Sequence, residues 1–421
     1  MCGIGGIYNY AGGEPPTRQM IEAMCLRLAH RGPDGHRILM RGGVGLGHTR
    51  LSIIDLTSGW QPIPNEDKTI WVICNGEIYN YRHLRLELET SGHQFSTKSD
   101  SEVIVHLYEE FGVDFVKHLR GMFALALWDE KRRRLVLTRD RIGQKPLYYS
   151  DTGASIHFAS EIKALTSDPR ISKMTDSVAI DQYFTYGYIP APRTIYENIK
   201  KLPPAHMMVC EADKVEIRRY WDLKFQPDNG LTPQEYAKEV RNQVREATAV
   251  RLESEVPLGF FLSGGVDSSV VVAAAAESSS ATLRTFSIGF DEESYNELPY
   301  ARLIASQFGT QHQELMVEGN IVEAFDDLIW FADEPFADSS MVPTYFLSKM
   351  ARSHVTVALG GDGGDEVFAG YDRYLGLKID ALYHRVPSFI RQRVIRPIVY
   401  RMPETGRKRD LAARMARFVR S

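Results

Sequence analysis

Cysteine is scarce in this sequence, and neither a positive charge excess nor a long apolar run is present. Its four cysteines, Cys2, Cys25, Cys74 and Cys210, are scattered and form no CxxC pair. This argues against a disulfide or zinc framework and indicates a reducing compartment. The formal net charge of −4 argues against nucleic acid as the main partner. With no apolar run long enough for a transmembrane helix and no signal-peptide pattern, we expect a cytoplasmic protein.

The pattern of strands and helices changes about halfway along the chain. The 421 residues leave room for roughly two to three domains. The first part mixes short strands with helices, which fits a layered sandwich of the α+β type. After a helix start at Thr232-Pro233, strand and helix alternate, which predicts an α/β domain with a doubly wound parallel sheet and ligands at the carboxyl ends of its strands. We place the two domains at residues 1–214 and 215–421.

Residue 2 is the first candidate for catalysis. The chain starts Met1-Cys2-Gly3-Ile4, so removal of Met1 would give Cys2 both a nucleophilic sulfur and a free α-amino group. This amine, with a pKa near neutrality, can serve as the base for its own thiol, directly or through water. Position alone favours a cysteine that merely follows the start, so the role depends on other segments.

Three further segments supply groups suited to an amino-acid substrate. Asn75-Gly76-Glu77 directly follows the apolar run 70–74, at a predicted strand end, and its side-chain amide and glycine N–H suit an oxyanion hole. Arg50 suits a substrate carboxylate, and Asp100 suits a substrate ammonium. Taken singly, each segment is better explained as a turn, a surface ion pair or a helix cap.

Together these segments resemble the class II glutamine amidotransferase domain, a group of N-terminal-nucleophile glutaminases. The resemblance spans Cys2 to about Pro204 and includes RGPDG at 31–35, RLSIID at 50–55, NGEIYN at 75–80 and DRIGQKPLYY at 140–149. It implies an αββα sandwich in which Cys2 is the nucleophile, with Asn75 and Gly76 as the oxyanion hole. The residues that it implies for glutamine binding are Arg50, Leu51, Ile53, Asn75, Gly76, Glu77 and Asp100.

A loop rich in glycine and serine carries the second candidate site. The sequence SGGVDSS at 263–269 follows a predicted strand and opens a predicted helix. Backbone N–H groups, hydroxyls and the positive end of a helix together suit a bound phosphate. The loop is not a Walker A motif, because it lacks Gly-Lys-Ser/Thr.

In this strand-to-helix context, SGGVDSS resembles the loop of N-type ATP pyrophosphatases, which adenylate a substrate and release pyrophosphate. A second loop, LGGDGGDE at 359–366, also follows a predicted strand and places glycines around acids. We predict Asp267 and Asp365 as Mg²⁺ ligands, since carboxylate oxygens suit this ion. The predicted ATP-binding residues are Leu262, Ser263, Gly264, Gly265, Asp267, Ser268, Ser269, Ile288, Gly360 and Gly361.

The two domains in this order resemble the glutamine-hydrolysing asparagine synthetases. The resemblance implies that ammonia, released from glutamine through a Cys2 thioester, follows an internal path and attacks an acyl-adenylate made from ATP and aspartate, or another carboxylate, releasing AMP and pyrophosphate. The family carries glutamate at the position of Asp362, where it helps form the acyl-adenylate, and serine at the position of Gly360. Asp362 is therefore the candidate catalytic acid. Because its side chain is shorter than glutamate, the identity of the acceptor carboxylate stays open. The sequence also leaves the oligomeric state open, with a homodimer as one alternative.

Two alternatives stand beside aspartate amidation. The segments YGYIPAPRTIY at 186–196 and KLPPAH at 201–206 are closer to amidotransferases associated with exosortase and exopolysaccharide systems, whose acceptor need not be aspartate. The other alternative is a glutaminase whose second domain is an incomplete remnant. The only lysines after Asp365 are Lys378 and Lys408, and neither lies in a segment like the family's pyrophosphate-neutralising lysine motif. We therefore expect a truncated ligase with weak adenylation and poorly covered apolar side chains at Ile395, Ile398 and Val399.

Overall fold

A computed structural model of the chain describes residues 1–12, 14–211, 214–227, 230–317, 321–403 and 411–420. The chain forms two compact units. The first contains residues 1–232 together with the short segments 253–256 and 322–341, and the second contains residues 233–252, 257–321 and 342–421.

Sixteen strands are present in the described ranges. They are β1 (Gly3–Asn9), β2 (His36–Arg41), β3 (Val44–Thr49), β4 (Ile63–Pro64), β5 (Ile70–Ile78), β6 (Gly121–Asp129), β7 (Arg134–Arg139), β8 (Tyr148–Asp151), β9 (Ser155–Ala159), β10 (Lys200–Lys201), β11 (His206–Glu211), β12 (Lys214–Arg219), β13 (Leu258–Phe261), β14 (Arg284–Gly289), β15 (Gln311–Met316) and β16 (Val357–Leu359).

The α-helices of the described ranges are α1 (Arg18–Arg27), α2 (Tyr81–Thr90), α3 (Val103–Phe111), α4 (Ile162–Leu165), α5 (Ser177–Tyr186), α6 (Pro233–Ala249), α7 (Val266–Ser278), α8 (Leu298–Gln307), α9 (Phe325–Ala332), α10 (Met341–Arg352), α11 (Gly364–Phe368), α12 (Asp372–Tyr383), α13 (Ser388–Ile390), α14 (Arg396–Tyr400) and α15 (Leu411–Arg420). Short 3-10 helices lie at Asp100–Glu102, Gly112–His118, Glu293–Tyr295 and Ile321–Ala324, and a π-helical turn lies at Arg391–Ile395. Of the helices described, none is long and apolar enough to cross a membrane.

The first unit is built from two six-stranded antiparallel sheets. Their strand orders are β10-β8-β9-β1-β3-β2 and β12-β11-β7-β6-β5-β4. Ile4 and Leu46 of the first sheet pack with Ile73 and Leu137 of the second, so one core fills the space between the sheets. Helices α1 and α4 cover the outer face of the first sheet, and α2 and α3 cover that of the second. These four layers confirm the predicted αββα sandwich.

Strand β5 is longer than the apolar run 70–74 predicts. It pairs with β6 along its whole length, from Ile70 opposite Asp129 to Ile78 opposite Gly121. Asn75, Gly76 and Glu77 therefore lie within the strand, and the expectation that they follow its end is wrong. The reason is tertiary, because pairing with β6 extends the strand past the point where its apolar pattern stops.

The second unit contains a four-stranded parallel sheet, as the alternating pattern predicts. Its order is β15-β14-β13-β16, and every neighbouring pair is parallel. From β13 the chain proceeds to β14 and β15 on one side and then crosses to β16 on the other. The strand order thus reverses between β13 and β16, the place where sheets of this kind bind ligands.

The apolar side chains of α14 differ in how well the neighbouring helix covers them. Val399 on α14 is only 3% exposed because it packs against Ala416 and Val419 of α15, so the prediction that it is poorly covered is wrong. Ile398 is exposed, as expected. Lys378 lies on the surface of α12. The other lysine considered, Lys408, falls outside the described residues.

Candidate active sites

Cys2 sits at the start of β1 and is held through its sulfur and its main chain. The sulfur lies 3.4 Å from the N–H nitrogen of Leu51 and 3.6 Å from its carbonyl oxygen. The carbonyl of Cys2 accepts a hydrogen bond of 3.0 Å from Nε of Arg31. The next residue, Gly3, pairs with Thr49 on β3, and a side chain there would meet Thr49 Oγ1 at 2.6 Å. Glycine at position 3 therefore lets β1 lie close to β3 and brings Cys2 beside Leu51.

The electrostatic environment keeps the thiol of Cys2 protonated. Burial raises its pKa, and the carboxylate of Asp100 adds to the rise. The N–H of Leu51, the α-amino group of Met1 and the guanidinium of Arg50 oppose the rise without cancelling it. Because the thiolate is the reactive form of cysteine, a nucleophilic role here requires a base that removes the thiol proton.

The side chain of Asn75 lies between the two sheets. Ile73, two residues earlier on the same face of β5, packs with Ile4 in the core between the sheets. Side chains alternate along a strand, so Asn75 faces the same interior, and it is 1% exposed. Its Nδ2 has no hydrogen-bond partner among the described residues. A buried donor without an acceptor costs free energy, and this amide is therefore available for an oxyanion.

The main-chain N–H of Gly76 points away from β6. In an antiparallel pair, alternate residues bond the partner strand and the residues between them face the other way. Tyr79 N–H donates to the carbonyl of Arg120 at 2.8 Å, just beyond the last strand pair, and this bond sets the alternation. Cys74, Gly76 and Ile78 are consequently the residues whose N–H groups face the side of β4.

The N–H groups two residues before and two residues after Gly76 donate hydrogen bonds to side chains. The N–H of Cys74 donates to Oε1 of Gln61 at 2.5 Å, and that of Ile78 donates to Oδ2 of Asp100 at 2.7 Å. Strand β4 pairs only with the opening part of β5 and does not reach this far. No strand therefore pairs with the N–H of Gly76 between these two filled positions. It is a second donor available to an oxyanion, within one residue of the Asn75 amide.

The predicted glutamine-binding residues cluster around this point. Asp100 is 6% exposed, and burial raises its pKa to about 6 despite the hydrogen bond from Ile78. Arg50 is 2% exposed, and its guanidinium donates to the carbonyls of Asp55 and Leu56 and lies 4.8 Å from the Trp60 ring centroid.

The loop after β3 is braced by a later segment of the first unit. The carbonyl of Ile53 accepts a bond of 3.0 Å from the N–H of Glu255. The carboxylate of Glu255 in turn accepts from the N–H of Asp55 at 2.8 Å. These bonds fix the segment that carries Arg50, Leu51 and Ile53, three of the predicted glutamine-binding residues.

Two basic residues near Cys2 were not assigned a role from the sequence. Lys145 is 7% exposed; burial lowers its pKa, while Glu77 and Cys2 raise it. Arg31, besides its bond to Cys2, forms an ion pair of 2.8 Å with Glu161. Both lie in motifs that support the resemblance, DRIGQKPLYY and RGPDG, yet a motif alone does not show which of its members approach the thiol.

In the second unit, the predicted nucleotide residues collect at one edge of the sheet. Leu262 directly follows β13, Ile288 lies near the end of β14, and Gly360 directly follows β16. Because β13 lies between β14 and β16, these three carboxyl ends are neighbours. The sheet thus brings together residues that are almost a hundred positions apart in the sequence.

The SGGVDSS loop is closed by its own hydroxyls. Oγ of Ser263 and Oγ of Ser268 lie 3.0 Å apart, and Oγ of Ser269 donates to the carbonyl of Gly265 at 2.7 Å. Gly265 caps α7 without a side-chain hydrogen bond to the first turn. Gly264 has a φ of +78°, and a side chain there would meet the N of Ala301 at 2.5 Å. The first-turn N–H groups of α7 remain available to an anion.

The acidic loop after β16 packs directly against Asp267. A Cβ on Gly361 would lie 2.6 Å from the nitrogen of Ser268, and one on Gly364 would lie 2.6 Å from Oδ2 of Asp267. Glycine at these positions lets the two loops touch and brings the turn that carries Asp365 to Asp267. Asp362, the candidate catalytic acid, is exposed on the same loop.

Comparison with known proteins also divides the chain into two parts, each with its own family. A family model described as a glutamine amidotransferase domain matches residues 1–221, and one described as asparagine synthase matches residues 239–420. The glutamine-hydrolysing asparagine synthetase 1 of Bacillus subtilis is 36% identical, covering 98% of this chain and 66% of that protein. A putative glutamine-hydrolysing asparagine synthetase 2 of Methanocaldococcus jannaschii is 39% identical, covering 93% of this chain and 79% of that protein.

A further relative carries a different name. The amidase chyE of Penicillium rubens is 32% identical, covering 98% of this chain and 64% of that protein. The chain thus spans about two thirds of the length of the Bacillus and Penicillium relatives. With both family models matched in order and both candidate sites on the expected folds, the chain belongs to the family of glutamine-hydrolysing asparagine synthetases.

Proposed function

We propose that the first unit hydrolyses glutamine at Cys2 and that the second unit uses ATP to activate a carboxylate, by default that of aspartate, for amidation by the ammonia released. The observation that carries the proposal is the buried Asn75 amide without a hydrogen-bond partner, next to the Gly76 N–H, which faces away from β6 and which β4 does not reach. Unpaired donors of this kind are costly in a structural core and useful only when an acceptor arrives. The proposed domains remain residues 1–214 and 215–421.

In the first half-reaction, removal of Met1 gives Cys2 an α-amino group that takes the thiol proton, directly or through water. The thiolate attacks the side-chain carbonyl of glutamine, and Asn75 and Gly76 donate to the oxygen that becomes negative. The proton returns to the leaving ammonia, and water then hydrolyses the thioester to glutamate. Asp100 holds the substrate ammonium, because its carboxylate is buried beside the site.

The other groups around Cys2 position the substrate. Leu51, already within 3.4 Å of the sulfur through its N–H, and Ile53 form the wall beside the nucleophile. Arg50 supplies the positive charge for the substrate carboxylate, and Glu77 shares the interior-facing side of β5 with Asn75.

In the second half-reaction, the N-terminus of α7 and the SGGVDSS hydroxyls receive the phosphates of ATP. The donor set fits Mg²⁺, because Asp267 and Asp365 offer carboxylate oxygens from two loops that touch. When bound, the ion would neutralise phosphate charge. Leu262, Ile288, Gly360 and Gly361 lie at the strand ends where the nucleotide would bind, and Asp362, exposed on the same loop as Gly360 and Gly361, is the proposed catalytic acid.

A second candidate function keeps the same chemistry with another acceptor. Asp362 is a shorter acid than the glutamate of the resembling family, and one relative is named an amidase rather than an asparagine synthetase. An exopolysaccharide-associated acceptor would be consistent with both facts. A glutaminase without ligase activity is the third outcome that an experiment must separate.

The test incubates the purified chain with glutamine, ATP and Mg²⁺, with and without aspartate, and measures glutamate, AMP and pyrophosphate. We expect aspartate to stimulate AMP and pyrophosphate release in a one-to-one ratio with asparagine. Adenylation that ignores aspartate would favour another acceptor, and glutamate release without AMP would leave only the glutaminase. Absence of glutamate release would refute the proposal for the first unit.

A further inference from the structure

Two histidines and two glutamates of the first unit converge on one point outside both candidate active sites. They are Glu66, His93, His106 and Glu109, and one potential ligand atom from each lies within 4.8 Å of every other. Glu66 lies between β4 and β5, His93 follows α2, and the other two lie on α3. The cluster thus joins three segments of the chain, which are also linked by hydrogen bonds from Asn65 Nδ2 to Glu109 and from the N–H of Gln94 to Glu66.

Four nitrogen–oxygen distances within the cluster are close to those between the ligands of one ion. His93 Nδ1 lies 3.0 Å from a Glu66 oxygen and 3.7 Å from a Glu109 oxygen. His106 Nδ1 lies 3.3 Å from the other Glu66 oxygen and 3.4 Å from the same Glu109 oxygen. Nitrogen and oxygen ligands in a tetrahedral zinc site, at about 2.0–2.2 Å from the ion, stand about 3.3–3.5 Å apart.

The second ring nitrogen of His93 faces a further carboxylate, since Nε2 lies 3.1 Å from Glu110. This is the outer arrangement of a metal-bound histidine, in which a carboxylate holds the N–H of one nitrogen and leaves the other nitrogen as the ligand. His93 Nδ1 would then aim its lone pair at the Glu66 carboxylate, and that contact is repulsive unless a cation, either a metal ion or a second proton, lies between them. Nε2 of His106 lies 3.9 Å from Glu102, beyond hydrogen-bond distance, and has no hydrogen-bond partner among the described residues.

Charge and burial support the same reading. Across the described ranges, the ion pairs made by these four glutamates go only to the two histidines. The side chain of His106 is 1% exposed, whereas those of Glu66 and Glu109 are 34% and 28% exposed. The site therefore has a buried floor and an open side through which an ion can enter.

We propose that Glu66, His93, His106 and Glu109 bind one divalent transition-metal ion of the zinc type, which ties α3 to the loops before β5 and after α2. Two imidazoles and two carboxylates suit zinc, cobalt or nickel, while calcium and magnesium prefer oxygen ligands alone. Protons compete with the metal ion for the ring nitrogens of the two histidines. We assign the ion a structural role, because its four ligands come from segments that carry none of the candidate active-site residues.

The test uses the full-length chain in a Cys2→Ser background, so that the thiol cannot bind metal. After chelator treatment, zinc binding is measured by competition with a chromophoric chelator, and the metal content by elemental analysis after dialysis. We expect one zinc per chain and an upward shift of the unfolding temperature with zinc. Cobalt should give the visible absorption of a four-coordinate site without a thiolate charge-transfer band.

Three variants make the test specific. His93→Gln and Glu109→Gln should abolish stoichiometric binding, and Glu110→Gln, which alters only the outer carboxylate of His93, should weaken binding about tenfold. His83→Gln is the matched control, because His83 forms a histidine–glutamate pair with Glu87 on the surface of α2. Folding of each metal-free variant is checked by circular dichroism. No zinc bound by the parent chain, or unchanged affinity in His93→Gln and Glu109→Gln, would overturn the proposal.

Discussion

The two candidate active sites differ most in how deeply their residues are buried and in how many hydrogen bonds from the chain hold them in place. In the first unit Asn75, Arg50 and Asp100 are 1%, 2% and 6% exposed, and hydrogen bonds from the chain hold the groups around them. In the second unit Val266, at the start of α7, is 78% exposed, and Asp362 stands on an exposed loop. A buried site can pre-organise its donors, whereas an exposed loop of glycines and acids depends on its ligand to order the charges.

Removal of the nucleophile should separate the two units most sharply. In Cys2→Ala, glutamate release should fall by roughly 10⁴-fold or more, because the thiol forms the covalent intermediate. Amidation supplied with free ammonia should continue, since it bypasses this thiol. Cys25→Ala is the matched control, because Cys25 is another free thiol of the first unit and is buried in the core. Equal loss of both activities in Cys2→Ala would contradict two separable sites.

The mass of the active chain tests the base in the same unit. We expect active protein to lack Met1, because only then does Cys2 carry the free α-amine that deprotonates its thiol. Intact-mass spectrometry of the purified chain decides this. Full glutaminase activity in protein that retains Met1 would exclude the amine as the base.

Loss of one pre-organised donor should cost less than loss of the thiol. Asn75→Ala should lower kcat for glutamine hydrolysis by roughly 10²–10³-fold with little change in KM, since the amide acts on the negative oxygen of the transition state. Asn80→Ala serves as control, because the Asn80 side chain bonds only main-chain groups of His118 and Arg120 in the described contacts. A similar fall in both variants would indicate a structural effect.

The exposed site should respond to charge at Asp267. Asp267→Asn keeps the shape of the side chain but removes the negative charge, so the affinity for Mg²⁺-ATP should fall about tenfold or more. Glutamine hydrolysis should remain at the parent level. Glu277→Gln at the other end of α7 is the control for a lost carboxylate on this helix. Unchanged AMP formation by Asp267→Asn would show that the metal assignment is wrong.

The smallest effect concerns the pH dependence of substrate binding in the buried site. Because burial raises the pKa of Asp100 to about 6, its carboxylate gains a proton below that pH and loses its hold on the glutamine ammonium. In the Cys2→Ala chain, where no chemistry follows binding, the Kd for glutamine should rise about fivefold between pH 6 and pH 5. Calorimetric titration measures it, and the same profile in a Cys2→Ala, Asp100→Asn double variant would refute the assignment.

The raised pKa of Asp100 also makes the stability of the folded chain depend on pH. An aspartate with an ordinary pKa of 3.8 in the unfolded chain and about 6 in the folded chain binds more protons when folded. Its contribution to stability is therefore most favourable at low pH and declines as the pH rises from about 3.8 to about 6. At neutral pH the buried, charged Asp100 beside Cys2 therefore destabilises the first unit relative to an exposed aspartate.

The candidate groups themselves could be identified in the sequence because short motifs report local chemistry. SGGVDSS predicts a phosphate loop from its glycines, hydroxyls and helix start, and the structure places that loop at the end of β13. The parallel sheet follows from the alternation of strands and helices for the same local reason.

Other features depend on contacts between distant segments, which no single motif contains. Strand β5 extends through Ile78 because β6 pairs with it, and Val399 is buried because α15 covers it. The proposed metal site joins His93 and Glu66 to the helical pair His106 and Glu109, and only this pair has a ligand spacing that the sequence displays. The sequence alone determined which chemical groups are present and the order of the two folds. Only the tertiary structure decided which groups are buried together, since burial and approach depend on residues far apart in the chain.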